Sequence, residues 1–154
     1  MVLGGRTDNA QLYAPLVRRL QELFPVDKFV GLELPPLTLY GEGYGANIQK
    51  GGGNYIPDGV DFVLFDVLID GWWLDDENMR DIANKLDIQA VSIVRFGTLR
   101  GVIGYMTQQG GVTQAFSELS PNALMEGFVG KPTTDLFNRK GERIITKLKY
   151  KDFK

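Results

Sequence analysis

Near the end of the chain stand three residues whose types and spacing suit chemistry on an anion. Lys147 and Lys149 form a Lys-x-Lys pair within Arg143-Ile144-Ile145-Thr146-Lys147-Leu148-Lys149. In a strand, side chains at i and i+2 share a face. The pair therefore aims two cations at one spot while Leu148 turns toward the core. Held together, like charges repel, and an anionic ligand relieves that repulsion. A solvated strand face is the plain alternative, because lysines are mostly exposed. Glu126 lies 21 residues upstream and opens the run Glu126-Gly127-Phe128-Val129-Gly130-Lys131-Pro132.

What the sequence lacks narrows the chemistry. Its 154 residues include no cysteine and no histidine. That excludes disulfides, thiol nucleophiles, zinc–thiolate sites, Ser-His-Asp triads and imidazole ligands. Catalysis must then rest on lysine, carboxylate, a bound metal ion or positioning. A metal site would be built from oxygen alone, which favours Mg2+ or Mn2+. The net charge of −2 hides an asymmetry: residues 131–154 carry eight basic and three acidic side chains (+5), and residues 1–130 carry nine and sixteen (−7). A basic end on an acidic body suits a local phosphate site rather than a uniform nucleic-acid coat, and a solvated basic tail is equally open.

The elements that must position these residues follow from periodicity. At this length, with 44% apolar and 23% charged residues, one domain with a real core is expected. No apolar run reaches membrane-span length and no signal peptide opens the chain, so a cytoplasmic protein is expected. Val2-Leu3 reads as the end of a strand entering the turn Gly4-Gly5-Arg6-Thr7-Asp8-Asn9. Leu12, Leu16, Leu20 and Leu23, with Phe24 beside them, predict a helix from Ala14 to just before Pro25, with Pro15 in its first turn and Arg18 and Arg19 exposed. Leu37–Tyr40 predicts a strand running into Gly41-Glu42-Gly43-Tyr44-Gly45, where glycines let a ligand or another backbone approach. Residues 48–55 predict a flexible loop that lacks the Walker spacing for phosphate.

Asp61–Ile69 is almost wholly apolar, the pattern of a strand buried on both faces, and Asp66 inside it needs a partner. Gly71-Trp72-Trp73 reads as a turn. Met79, Ile82, Ala83 and Leu86 predict a second helix capped by Asp75 or Asp76, and Val91–Phe96 a further strand. Thr98 is placed to cap a third helix with inner face Leu99, Val102, Ile103 and Met106, ended by Gly110-Gly111. A polar loop through Pro121-Asn122 leads to a strand at Glu126, and Asn138-Arg139-Lys140-Gly141 turns the chain back into the Lys147 strand. With no regular β-α-β rhythm, the class is α+β, its mostly antiparallel sheet flanked by helices.

Taken together, four segments resemble the ATP-dependent RNA ligases of the covalent nucleotidyltransferase superfamily, the phage-type group in particular. Tyr40-Gly41-Glu42-Gly43-Tyr44-Gly45 resembles the family's third motif and Asp61-Phe62-Val63-Leu64-Phe65-Asp66 the one that follows it. Glu126-Gly127-Phe128-Val129 resembles the fourth and Lys147-Leu148-Lys149 the fifth, while Gly5-Arg6-Thr7 resembles the arginine turn after the nucleophile. Each motif alone is weak; their order and spacing over nearly the whole chain carry the resemblance.

The resemblance implies an adenylyltransferase fold and a set of roles. Phe65 would stack on adenine and Val129 would close the other face. Glu42 would accept a hydrogen bond from a ribose hydroxyl, and Arg6 would contact ribose or phosphate. Lys147 and Lys149 would neutralise the α-phosphate of ATP (AMP), Lys131 would add charge there or toward the nucleic acid, Glu126 would hold or orient Mg2+ or Mn2+, and Asp66 would orient a basic neighbour. The plain alternatives are Phe65 and Val129 as core residues, Glu42 as a turn residue and Lys131 as merely exposed.

One departure matters. The family's attacking lysine belongs upstream of Arg6, where five residues include none. Lys28-Phe29-Val30-Gly31 fits the bare pattern, but it follows the arginine turn and lies only 14 residues before Glu42. The expectation is a partial adenylyltransferase domain over 1–154, without the nucleophile or a C-terminal accessory domain. It would act on RNA ends bearing a 5′-phosphate and a 3′-hydroxyl, with a second chain supplying the lysine or with self-association through an unpaired sheet edge. A DNA ligase or capping guanylyltransferase stands close by, and a non-catalytic nucleotide- or RNA-binding relic is the reading from a different class.

Overall fold

The computed structural model describes residues 1–7, 9–32, 34–48, 50–93, 97–108 and 126–153. Two compact units divide the chain, Met1–Ile93 and Val94–Lys154. Both combine helix with antiparallel strands, so the expected α+β class holds. Among the described residues no helix is long and apolar enough to cross a membrane.

In the first unit, α1 (Ala14–Leu23) has its proline in the first turn, where no hydrogen bond is lost. Leu16, Leu20 and the following Phe24 are buried at i, i+4, i+8. A short α2 (Val26–Val30) follows. The expected strand at Val2-Leu3 is absent, and residues 1–5 are irregular. β1 (Leu37–Gly45) and β2 (Val60–Ile69) pair antiparallel along their whole length. The glycines of residues 41–45 thus belong to the strand rather than to a loop. A Cβ at Gly41 would collide with the Phe62 ring, so the close approach foreseen there is made by the protein's own β2.

Asp70-Gly71 makes a two-residue turn, and β3 (Trp72–Trp73) folds back on β2 with Leu68 opposite Trp73. The turn thus falls one residue earlier than the sequence suggests, at an Asp-Gly pair suited to left-handed φ. α3 (Asp76–Lys85) is capped by the Asp75 carboxylate, which accepts from the Asn78 amide at 2.9 Å. β4 (Gln89–Ala90) lies parallel to β2 at Val63–Leu64. The strand expected over Val91–Phe96 is not formed at its described residues; Val91 adds one amide bond to Leu64 at 2.8 Å, and 94–96 lie outside the described residues. The reason is room: β3 and β4 share the same edge of β2, so each stays short.

One face of this sheet buries Phe62, Leu64 and Val67 against Leu16, Leu20 and Phe24 from α1 and Met79, Ile82 and Ala83 from α3. Burial of each of these side chains larger than alanine is worth about 1.5–3 kcal/mol. Lys28 locks the helices over it: its ammonium donates to the carbonyls of Leu23 at 3.0 Å and Leu86 at 2.6 Å, at the C-terminal ends of α1 and α3, where the helix dipole favours a cation. Arg19, expected in solvent, is half-buried and donates to Asp61 at 3.1 Å, tying α1 to the start of β2.

Tyr44, next to the last residue of β1, is at 2% exposure, its hydroxyl donating to Gln89 at 2.8 Å. Burial first, then the nearby Asp61 charge, push its pKa up to about 12. A phenol whose folded pKa exceeds the ordinary value of about 10 keeps its proton longer in the folded state. Stability is therefore expected to fall as pH rises from about 10 toward 12, and Tyr44→Phe is expected to flatten that fall in urea-melt midpoints taken across this range. An unchanged slope in the variant would exclude Tyr44 as its source.

In the second unit, α4 (Leu99–Gln108) is capped by the Thr98 hydroxyl, which accepts from the Gly101 amide at 3.1 Å. Met106 is fully buried, Val102 and Ile103 are half-buried, and Leu99 at the first position is exposed, outside the inner face expected for it. Gly110-Gly111 and the loop through Pro121-Asn122 lie outside the described residues. β5 (Gly127–Gly130) and β6 (Thr146–Lys149) form a two-stranded antiparallel sheet. Between them the chain makes the expected hairpin turn at 138–141, closed by an antiparallel bridge from Phe137 to Arg143.

Candidate functional site

In β2 the residue expected to stack on a base is exposed by an irregularity of register. Tyr40 faces Asp66, but its neighbour Gly41 faces Leu64, so Phe65 is the extra residue of a bulge in the register. The bulge shifts the alternation: Phe62 and Leu64 reach the helical core before it, and Val67 after it. Bulges re-aim side chains, and here Phe65 is left 37% exposed within a strand whose neighbours are buried. Neither β3 nor β4 pairs at Phe65 or Asp66. The plain core reading of Phe65 is thereby removed.

Glu42 is exposed in β1, opposite Val63, and so is a strand residue rather than a turn residue. It alternates with Tyr40 and Tyr44 on the face away from the helices. Tyr40 packs on Trp73 with ring centroids 5.0 Å apart, and Tyr44 meets Tyr55 edge-on at 6.4 Å. These aromatics were not singled out from the sequence. Their i, i+2 spacing would have found them had the glycines been read as strand. Asp66 is 5% exposed, the buried carboxylate its setting predicts. Arg6 is exposed and precedes the Ala10 amide bond to the Thr7 carbonyl at 2.9 Å; its neighbours Gly5 and Thr7, with Leu3, Gly4, Ala10 and Leu12, line a hollow of about 300 Å³. Among the described residues no charged side chain lines that hollow, and the Thr7 hydroxyl is the polar side-chain group there.

The second unit gathers the remaining candidates on one small sheet. Register sets Val129 opposite Lys147 and Gly127 opposite Lys149, so Val129 and both lysines share a face. All three are exposed, Val129 at 55%. Phe128 and Leu148 face each other on the opposite side, where the Tyr105 ring of α4 lies 5.9 Å from Phe128. The core reading of Val129 is also removed. Glu126 falls just before β5 rather than inside a strand, held by the Tyr150 amide donating to its carbonyl at 2.9 Å. Its carboxylate stands 3.9 Å from the Lys149 ammonium, with side-chain exposures of 81% and 45%. So open an ion pair is worth at most about 1 kcal/mol and can be exchanged for ligand contacts. Lys131 follows β5 with its side chain exposed.

The residues expected to act together are thus shared between the units. Arg6, Glu42, Phe65 and Asp66 belong to the first, and Glu126, Val129, Lys131, Lys147 and Lys149 to the second. Among the described residues no three carboxylates come together as a metal site. Glu126 fits a divalent ion only as one ligand, the mode in which Mg2+ takes one or two carboxylates and completes its shell with phosphate oxygens and water.

The family model described as RNA ligase covers residues 6–149, from the arginine turn to the second lysine of the pair. No curated protein matches the chain.

Proposed function

The chain belongs to the RNA ligase family, and from that premise we propose that it is an ATP-dependent adenylyltransferase domain that joins a 3′-hydroxyl to a 5′-phosphate of RNA through adenylylated intermediates. One observation carries the reading: β5–β6 pairing sets Lys147, Lys149 and Val129 on one exposed face, with the Glu126 carboxylate 3.9 Å from Lys149. Two cations held by a pleat, with an apolar side chain beside them, suit a phosphate next to a base. The roles of Phe65 toward adenine and of Glu42 toward a ribose hydroxyl are those the family resemblance implies, and both residues belong to the first unit.

In the sealing step, the 3′-hydroxyl oxygen attacks the phosphorus of the adenylylated 5′-end. Its proton passes to water, the bond to AMP breaks and AMP leaves. Negative charge grows on the departing phosphate, and in this proposal Lys147 and Lys149 neutralise it. A divalent ion, when bound, adds further charge at the same phosphates.

The lysine that takes up AMP in the first step lies, in this proposal, outside residues 1–154, on the same protein or on a second chain. Lys28, which fits the bare pattern, is engaged by two helix-end carbonyls. The test uses the 154-residue chain with Mg2+. Incubation with ATP is expected to leave its intact mass unchanged, and RNA already adenylylated at its 5′-end is expected to be sealed. An AMP adduct mapped to Lys28 or Lys50 would overturn the outside-lysine part. AMP binding without sealing, even with a lysine-bearing segment added, would replace the ligase reading by that of a nucleotide-binding relic. Preference for GTP or for DNA ends would move the assignment to a capping guanylyltransferase or a DNA ligase.

A further inference from the structure

The hairpin between β5 and β6 has features that the adenylyl site does not use. Its turn is pinned by Asn138, whose side-chain oxygen accepts from the amides of Lys140 at 2.8 Å and Glu142 at 3.0 Å. Its side-chain amide donates to the Glu142 carboxylate at 2.7 Å. The stem is held by the Asn138 amide on the Glu142 carbonyl at 2.9 Å and the Ile144 amide on the Leu136 carbonyl at 2.7 Å. On this braced frame Phe137 is 53% exposed, and Leu136 and Ile144 are exposed beside it. Arg139 and Lys140 project at the tip, and among the described residues neither is paired with a carboxylate.

A fixed frame that holds an aromatic ring in water and two cations beyond it suits a strand of bases and phosphates. Bases stack on aromatic faces whatever their sequence, and cations track the backbone. The charge of the units agrees. Met1–Ile93 carries seven basic and fourteen acidic side chains, a net of −7, whereas Val94–Lys154 carries ten and five, a net of +5. A polyanion is therefore drawn to the second unit and repelled by the first.

We propose that the Leu136–Ile144 hairpin is a contact surface for single-stranded RNA flanking the joined ends, with Phe137 stacking on a base and Arg139 and Lys140 meeting phosphates. This rests on the RNA-ligase reading and adds to it a site separate from the adenylyl group.

The test measures fluorescence anisotropy of a short 5′-hydroxyl single-stranded RNA, which cannot be sealed, with the full chain over a range of salt. Phe137→Ala and Phe137→Leu are both expected to weaken binding, by about 5- to 150-fold for a lost base stack. Phe137→Trp is expected to retain it. Arg139→Gln and Lys140→Gln are each expected to lower the salt dependence by about 0.7 in log–log slope. Because these side chains are exposed, the unfolding midpoint is expected to stay unchanged. Unaltered RNA affinity in all of these variants, with AMP still bound, would overturn the hairpin proposal and leave the ligase reading intact. A chain that binds neither AMP nor RNA would overturn both. If Phe137→Leu behaves as wild type while Phe137→Ala disrupts self-association in sedimentation, the surface docks protein and the RNA proposal is overturned.

Discussion

Replacing Lys147 by alanine is expected to slow the sealing of adenylylated RNA by about 10²–10³-fold, the usual cost of removing one preorganised donor from a developing anion. Lys147 is exposed on β6 opposite Val129, so no packing is lost, and the unfolding midpoint should match that of the unaltered chain. Lys147→Arg separates charge from shape. It keeps the cation, but a guanidinium has a planar fork where the ammonium is a compact point charge, and partial activity is expected. Single-turnover rates with saturating adenylylated RNA measure this directly. A rate within a few-fold of wild type for Lys147→Ala would mean that the pair is a solvated strand face.

The second large effect is expected at a residue with no side chain. Gly127 opposes Lys149 at the start of β5 with φ of 154°. A Cβ there would collide with the Leu148 carbonyl oxygen and lie 2.9 Å from the Lys149 Cα, both backbone atoms of the facing strand. Backbone cannot swing aside as a side chain can, so Gly127→Ala must push β5 off β6. A strained backbone costs about 1–3 kcal/mol. A displacement of about 1 Å of Glu126 and Lys149 from the reacting phosphate costs on the order of 10²-fold in rate. Loss of both sealing activity and thermal midpoint is therefore expected. Gly130→Ala serves as the control, because the close contact of its Cβ would be with a side-chain end, the Thr146 methyl at 2.9 Å, while Leu99 and the Thr146 carbonyl oxygen stand off at 3.7 and 3.9 Å. If Gly127→Ala seals RNA as fast as Gly130→Ala, the β5–β6 register does not position the site.

Local rules carried much of this protein into view before its fold was known. The pleat alone puts Lys147 and Lys149 on one face, because side-chain alternation is a property of any strand. α1 and α3 follow from apolar spacing, and the Asp75 and Thr98 caps from the unsatisfied amides that begin every helix. The glycines of β1 misled because their local preference is for turns; packing against Phe62 and Leu16 overrides it.

The sequence by itself determined the chemical inventory: lysine and carboxylate without histidine or cysteine, two cations on one face, and a basic end on an acidic body. The tertiary structure decided which residues face solvent. Phe65 is exposed because β1 and β2 slip by one residue at the bulge, and no local signal at Phe65 encodes its partner's register. Val129 joins the lysines because β5 and β6 pair across a hairpin of fixed length. Lys28 matches a nucleophile pattern, yet its ammonium is held between two helix ends, by the carbonyls of Leu23 and of Leu86, the latter 58 residues away in sequence. Spacing along a chain fixes which side chains share a face, and long-range pairing fixes what that face meets.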